Sequence, residues 1–204
     1  MDLYQAIHAR RSIRKFAATP IPEEILERML SAMQAAPSGK NAQPWRFIVV
    51  REAGTRKKIA DICTFNTGSG REIRQDWIAD APVIIVVCGN PAEAFFKIHQ
   101  ADKVIIANQD YLVEIQKTGP LEWESGLLID LTIPMDHLSL AVVAEGLGCC
   151  WVAGLNENKL KDILEIPANW RAPAVMPIGY ALEQPEARRR KCLEEIILME
   201  RFSQ

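Results

Sequence analysis

The sequence contains no H-E-x-x-H zinc helix, no G-x-S-x-G nucleophile elbow, no G-x-x-x-x-G-K-[ST] phosphate loop and no G-x-G-x-x-G following a strand. Zinc hydrolases, serine hydrolases of the elbow type, P-loop nucleotide hydrolases and Rossmann dinucleotide proteins are thereby excluded. Histidine is scarce: His8, His99 and His137 lie far apart, and His137 falls in an apolar helical pattern where a satisfied core histidine is the ordinary reading. The five cysteines show neither C-x-x-C nor metal-ligand spacing, which suits a reduced, cytoplasmic setting. Cys149 and Cys150 read as small residues of a buried strand in preference to a strained vicinal disulfide. The longest uninterrupted apolar runs, 83–88 and 140–144, fall far short of the ~20 residues of a membrane span. Met1-Asp2-Leu3-Tyr4-Gln5 is not the basic-then-apolar start of a signal peptide. Excess charge is missing too. With 24 basic against 26 acidic residues the formal net charge is −2, so no global field draws the chain toward nucleic acid or anionic lipid.

What is present is an ordinary globular composition, 49% hydrophobic and 25% charged, over a length that suits one domain, or one domain with a sizeable insertion. Leu3, Ala6 and Ile7 form one apolar face of a short helix over 3–9. Pro22 at a first helical position, with Glu23 and Glu24 behind it, opens a second helix, which Pro37-Ser38-Gly39 stops. Trp45–Val50 is a strand, 55–63 a short helix, and 83–88 a strand with no polar face. Segment 92–127 is the least regular, with Phe95, Phe96, Tyr111 and Trp123 among polar residues, and reads as a partly helical, lid-like insertion. A long apolar helix over 127–147 follows, interrupted by Pro134, which predicts a kink. Then come a buried strand over 149–153, a capped helix over 156–164, a strand over 174–180 and a C-terminal arm over 184–204. The alternation predicts an α/β or α+β domain spanning 1–204, with one sheet covered on both faces.

Four segments stand out chemically. Arg10-Arg11-Ser12-Ile13-Arg14-Lys15 suits bidentate phosphate binding, or merely places cations at a helix C-terminus. Ala36-Pro37-Ser38-Gly39-Lys40-Asn41-Ala42-Gln43-Pro44-Trp45 presents short polar groups to a ligand, or is a plain connection of turn-forming residues. Gly146-Leu147-Gly148-Cys149-Cys150-Trp151-Val152-Ala153-Gly154 brings backbone N–H groups to a strand end near a helix N-terminus. Arg188-Arg189-Arg190-Lys191 is a solvated cluster or an anion site; without interleaved aromatics it argues against nucleic acid. Ligand-like loops without an evident nucleophile or base point to chemistry performed by a bound cofactor.

In this order and separation the four segments, with Phe16, with Trp45-Arg46-Phe47, with Ala81-Pro82 before a buried strand and with Cys192-Leu193-Glu194-Glu195-Ile196, resemble the nitroreductase family of FMN-dependent oxidoreductases. The resemblance implies an α+β fold, a central mixed, mostly antiparallel sheet flanked by helices in three layers, and an intertwined homodimer with FMN at the subunit interface. It further implies that Arg10, Ser12 and Arg14, with the Arg11 backbone, contact the flavin phosphate, ribityl chain and pyrimidine side, and that Arg188 and Arg190 complete the phosphate clamp. Pro37, Ser38 and Asn41 would reach the same flavin from the partner subunit, and Val152, Ala153 and Gly154 would face its N5/O4 edge. Gln75 is a further candidate at the pyrimidine edge, and Trp77 stands near the place where many relatives carry a lysine. The implied activity is ping-pong hydride transfer from NADH or NADPH, through flavin N5, to nitroaromatic or quinone-like acceptors. No side chain is required as a nucleophile, and no metal or membrane is implied. The alternatives are a non-catalytic FMN-binding protein and another reductive branch of the family, such as a dehalogenase.

Overall fold

Asp2 caps the first helix, α1 (Leu3–Ala9): its carboxylate accepts from the Gln5 N–H at 2.8 Å, while the Gln5 side chain accepts from the Asp2 N–H at 3.1 Å. The structure is a computed structural model, and it describes residues 1–66, 72–91, 93, 97–100, 103–106 and 120–202. The next helix, α2 (Glu23–Gln34), has Pro22 as its N-cap, one position outside the expected start, with Glu23 and Glu24 in the first turn. It leads through a 3₁₀ turn (Gly39–Asn41) into β1 (Trp45–Val50). Helix α3 (Ala53–Ile62) begins two residues earlier than its apolar pattern suggests, because the Glu52 side chain accepts from the Gly54 and Thr55 N–H groups.

Two short strands, β2 (Thr64–Asn66) and β3 (Glu72–Arg74), pair antiparallel and are followed by a 3₁₀ turn over Asp76–Asp80 and by β4 (Val83–Gly89). Within the expected insertion at 92–127, β5 (Lys97–Gln100) and β6 (Lys103–Ile106) form an antiparallel pair, and 120–127 belongs to the long helix α4 (Pro120–Ala144). Phe95, Phe96 and Tyr111 lie outside the described residues; Trp123 falls within α4. That helix starts seven residues before the apolar run and continues through Pro134 instead of being interrupted there. Beyond it lie β7 (Gly148–Cys149), α5 (Glu157–Leu164) capped by Asn156, β8 (Arg171–Gly179) and a short α6 (Leu193–Ile196).

The main sheet has the order β1-β4-β8-β7, with antiparallel neighbours throughout. A single parallel bridge, Ser12 to Cys149, makes its edge mixed. The central strand β4 is buried along its whole length, and its alternation divides the core. Val83, Ile85 and Val87 pack with Leu26, Met29 and Met33 of α2 and with Leu127, Leu131, Met135, Leu138 and Val142 of α4. Ile84, Val86 and Cys88 pack on the other face with Ile59 of α3 and Leu160 of α5. Helices therefore cover both faces, as a strand without a polar side demands. Residues Gly126–Ala144 are apolar enough to cross a membrane by length and composition, yet the α4 side chains just named fill the core. Cys63, Cys88, Cys149, Cys150 and Cys192 are all free thiols.

The strand expected over 149–153 is shorter than its apolar run. The register that sets Gly148 against Gly179 and Cys149 against Ile178 brings Cys150 opposite Pro177. The Cys150 N–H reaches the Pro177 carbonyl at 3.3 Å, but Pro177 has no N–H to return. Val152 and Val175 exchange one reciprocal pair of hydrogen bonds, at 3.0 and 2.9 Å, and Ala153 is already exposed.

Candidate functional site

The basic segment that follows α1 is laid along the free edge of β7. The Ile13 N–H donates to the Cys149 carbonyl at 2.9 Å, the Ala17 N–H to Tyr180 and the Leu182 N–H to Lys15, each at 2.9 Å. Glycine is needed opposite this segment, since a Cβ on Gly148 would lie 2.6 Å from Ile13 Cγ1. Gly146 supplies the other local requirement, a φ of +77° that lets the chain leave α4 and turn into the strand.

Pinned in this way, Arg10, Ser12 and Arg14 gather around the buried Cys150. Burial raises the Cys150 thiol pKa, while Arg14, the Ser12 hydroxyl and Arg10 pull it back down. The Arg14 guanidinium lies 6.0 Å from the Trp77 ring centroid, a cation–π contact, and Trp77 is tilted against Phe16 at 6.3 Å. Behind Trp77, the Gln75 side-chain amide donates to the Gly154 carbonyl at 3.3 Å. One face of the molecule thus unites Arg10, Ser12, Arg14, Gln75 and the 150–154 segment. Neither Arg10 nor Arg14 forms an ion pair among the described residues.

Arg11 behaves differently from its neighbours. Its Nη1 donates to the His8 and Arg10 carbonyls, both at 2.8 Å, so the side chain satisfies the end of α1 and leaves only the backbone to face a ligand. Its Nε is buried without a hydrogen-bond partner. The donor set fits an anionic, phosphate-bearing group: the Arg10 and Arg14 guanidiniums, neither in an ion pair among the described residues, and the Ser12 hydroxyl lie on one short segment.

No hydrogen bond or ion pair found among the described residues joins the other expected residues to this face. Pro37, Ser38 and Asn41 belong to a loop that the Gly39 N–H ties to α4, donating to Asp130 Oδ1 at 3.1 Å. Arg188 and Arg190 are exposed in the arm, and no ion pair engages either among the described residues. A cavity of about 540 Å³ beside the site, lined by Phe16, Arg51, Arg56, Asp80 and Pro82 among others, contains none of the expected ligand residues.

Two acidic residues escaped the sequence reading. Glu183 accepts the Arg14 N–H at 2.5 Å across 169 positions, a contact with no local signal. Asp130 was legible in principle as a lone acid within a turn of buried leucines, Leu127 and Leu131.

The model of the nitroreductase family matches residues 7–180. The chain belongs to the nitroreductase family. Members of this family are oxidoreductases, and the similarity extends over nearly the whole chain. A protein named NADH dehydrogenase from Thermus thermophilus is 28% identical over 210 residues, covering 97% of this chain and 96% of that one. An iodotyrosine deiodinase from Nematostella vectensis is 24% identical, covering 97% of this chain and 75% of that one. Among solved structures, a nitroreductase family protein from Clostridium novyi NT is 32% identical, with a TM-score of 0.69 over 92% of this chain and 89% of that one. The NADPH:FMN oxidoreductase of Vibrio harveyi, complexed with NAD+, shares the nitroreductase fold with a TM-score of 0.76 at 21% identity, over 99% of this chain and 78% of that one.

Proposed function

We propose that this nitroreductase is an FMN-dependent oxidoreductase that takes hydride from NADH or NADPH and delivers it to nitroaromatic or quinone-like acceptors in a ping-pong cycle. The observation that carries this reading is the convergence of Arg10, Ser12 and Arg14 on one face with Gln75 and the 152–154 segment, where the one carboxylate in the cluster, Glu183, is bound to the Arg14 backbone N–H and pairs with neither guanidinium among the described residues. FMN, when bound, supplies the centre that accepts and donates hydride, so the chain needs no nucleophile. Arg10, Arg14 and the Ser12 hydroxyl hold its phosphate and polar side, joined by the Arg11 N–H and by Arg188 and Arg190 of the arm. Ala153 and Gly154 offer backbone N–H groups to the N5/O4 edge, Val152 backs them with its own N–H and carbonyl already bonded to Val175, and Gln75 faces the pyrimidine edge. A guanidinium near that edge stabilises negative charge that develops during reduction.

Pro37, Ser38 and Asn41 belong to this reading as contributions from the partner of a homodimer. Supporting it are an apolar groove of about 390 Å³ between α1 and α4, the exposed Leu3 and Tyr4 of α1, and an arm whose Leu193, Ile196, Met199 and Phe202 are exposed. The five free thiols support a reduced, cytoplasmic setting. Reductive dehalogenation is the second reading, favoured by the similarity to iodotyrosine deiodinase. The test is stopped-flow absorbance of the FMN-loaded protein mixed with NADH or NADPH, followed by acceptor screening that includes a halotyrosine. Bleaching by either nucleotide and recovery on adding a nitroaromatic or quinone are expected. Bleaching with recovery only on the halotyrosine selects the second reading, and no bleaching by either nucleotide leaves a flavin-binding protein without turnover.

A further inference from the structure

Asp130 is an acid in a place built for hydrocarbon. It is 8% exposed in the apolar part of α4, one turn from Leu127 and next to Leu131, both buried. Burial raises its carboxyl pKa, which the hydrogen bond from Gly39 only partly opposes. A leucine would pack there without any desolvation cost. What a leucine could not do is accept the Gly39 N–H, held by Asp130 Oδ1 at 3.1 Å.

The loop so held has an unusual backbone. Lys40, Asn41 and Gln43 have φ values of 53°, 55° and 47°, in the left-handed region that side-chain-bearing residues seldom occupy. Such conformations persist where their surroundings over-determine them. Inside the loop, the Gln43 N–H donates to Ser38 Oγ at 2.9 Å and the Asn41 N–H to the Ser38 carbonyl at 3.0 Å. These bonds set the loop's shape but not its place on the molecule. Asp130 ties it to α4.

We propose that Asp130 is a positioning residue, whose carboxylate grips the Gly39 N–H and orients the 37–43 loop so that Ser38 and Asn41 meet the flavin of the partner subunit. The proposal rests on the FMN reading above and adds a residue that touches no ligand itself. The grip joins the apolar helix that supports the sheet to the segment that completes a neighbouring site.

Three variants of the full-length protein test it. Asp130→Ala removes the acceptor. Asp130→Asn keeps a carbonyl oxygen in its place. Gly39→Pro removes the donor and sets its ring Cδ where the N–H met Asp130 Oδ1, so it breaks the contact from the other side, at the first position of a 3₁₀ turn and after a residue, Ser38, whose φ of −141° and ψ of 162° suit a following proline. FMN dissociation constants come from fluorescence quenching, and hydrogen exchange of the 37–43 amides is measured on the flavin-free protein. Loss of a hydrogen bond to a charged acceptor predicts about tenfold weaker FMN binding in Asp130→Ala and in Gly39→Pro. Asp130→Asn is expected within about threefold of wild type. Combining Asp130→Ala with Gly39→Pro adds no further loss, because both remove one interaction. In the flavin-free protein, Asp130→Ala exchanges faster than wild type across 37–43, and Asp130→Asn does not.

Wild-type affinity and exchange in Asp130→Ala would overturn the proposal while leaving the FMN reading intact. A wild-type protein that binds no FMN overturns that reading and the proposal with it. Should Asp130→Ala fail to fold, Gly39→Pro carries the same expectation, and unchanged FMN affinity there is equally decisive against it.

Discussion

Arg14 combines two roles that can be separated. Its backbone N–H is bound by Glu183, while its guanidinium contacts only the Trp77 ring and forms no ion pair among the described residues. The side chain therefore contributes little to folding, since an exposed cation–π contact is worth about 0.5–1 kcal/mol. Arg14→Ala is expected to leave the far-UV circular dichroism and the oligomeric mass unchanged while weakening FMN binding about tenfold, the effect of one lost charge-assisted donor. Unchanged flavin affinity would remove Arg14 from the site. Cys150, a few ångströms away in the same cluster, is a buried thiol with a raised pKa, as is Cys149, pushed up to about 12 by burial. Both are packing residues rather than nucleophiles.

At the scale of elements, α5 is fastened to β8 by one carboxylate. Glu157 accepts from Arg171 Nε at 2.9 Å and from the Ala172 N–H at 2.7 Å. Burial alone would raise its pKa, but Arg171, the Ala172 N–H and Lys161 together bring it below the usual carboxylate range. An acid with a depressed folded-state pKa contributes stability that is fully present above its unfolded value, about 4.3, and is lost as pH falls through the folded value. Glu157→Ala should cost about 2 kcal/mol at neutral pH, leaving a half-buried guanidinium and an N–H without this acceptor. Urea titrations at neutral pH and at about pH 3 check this, the gap between wild type and variant closing on the acid side.

Legibility in the sequence differs between elements for physical reasons. β4 was readable because an unbroken apolar run of strand length needs cover on both faces, and β1 because Phe47–Val50 is an apolar, β-branched-rich stretch after Arg46, although neither run says anything about strand direction. The Asn156 cap was readable because its signal is local. The start of α4 was not, since Pro120–Gly126 lacks the apolar pattern that marks the rest of the helix. The short extent of β7 was hidden for another reason: its cause, Pro177, is distant in sequence and acts only through strand register. At the site, the Arg10-Ser12-Arg14 grouping was expected from the family resemblance, spacing alone leaving it open, whereas the use of Arg11 as a helix-end cap and of Glu183 as a backbone acceptor arises from the tertiary path of the chain.

On the scale of the whole molecule, the arm beyond Glu183 buries none of its described residues. Met199 and Phe202 are 80% and 83% exposed, and no buried residue lies between 184 and 202. A segment with that much exposed apolar surface is stabilised by covering another surface. Truncation after Glu183 is expected to reduce the sedimenting species to a single chain and to release FMN, with the four-stranded sheet retained in the circular dichroism. A truncated protein that stays dimeric and yellow would show that the arm neither joins the subunits nor holds the phosphate.

The imino nitrogen of Pro177 has a reach beyond its own strand. By denying its neighbour a returning bond, it leaves Val152 and Val175 as an isolated pair, after which the chain is exposed at Ala153. The course of the 150–154 segment is thus set in part by a residue on the neighbouring strand, and a library of variants drawn only around that segment would pass over one of the positions that shapes it.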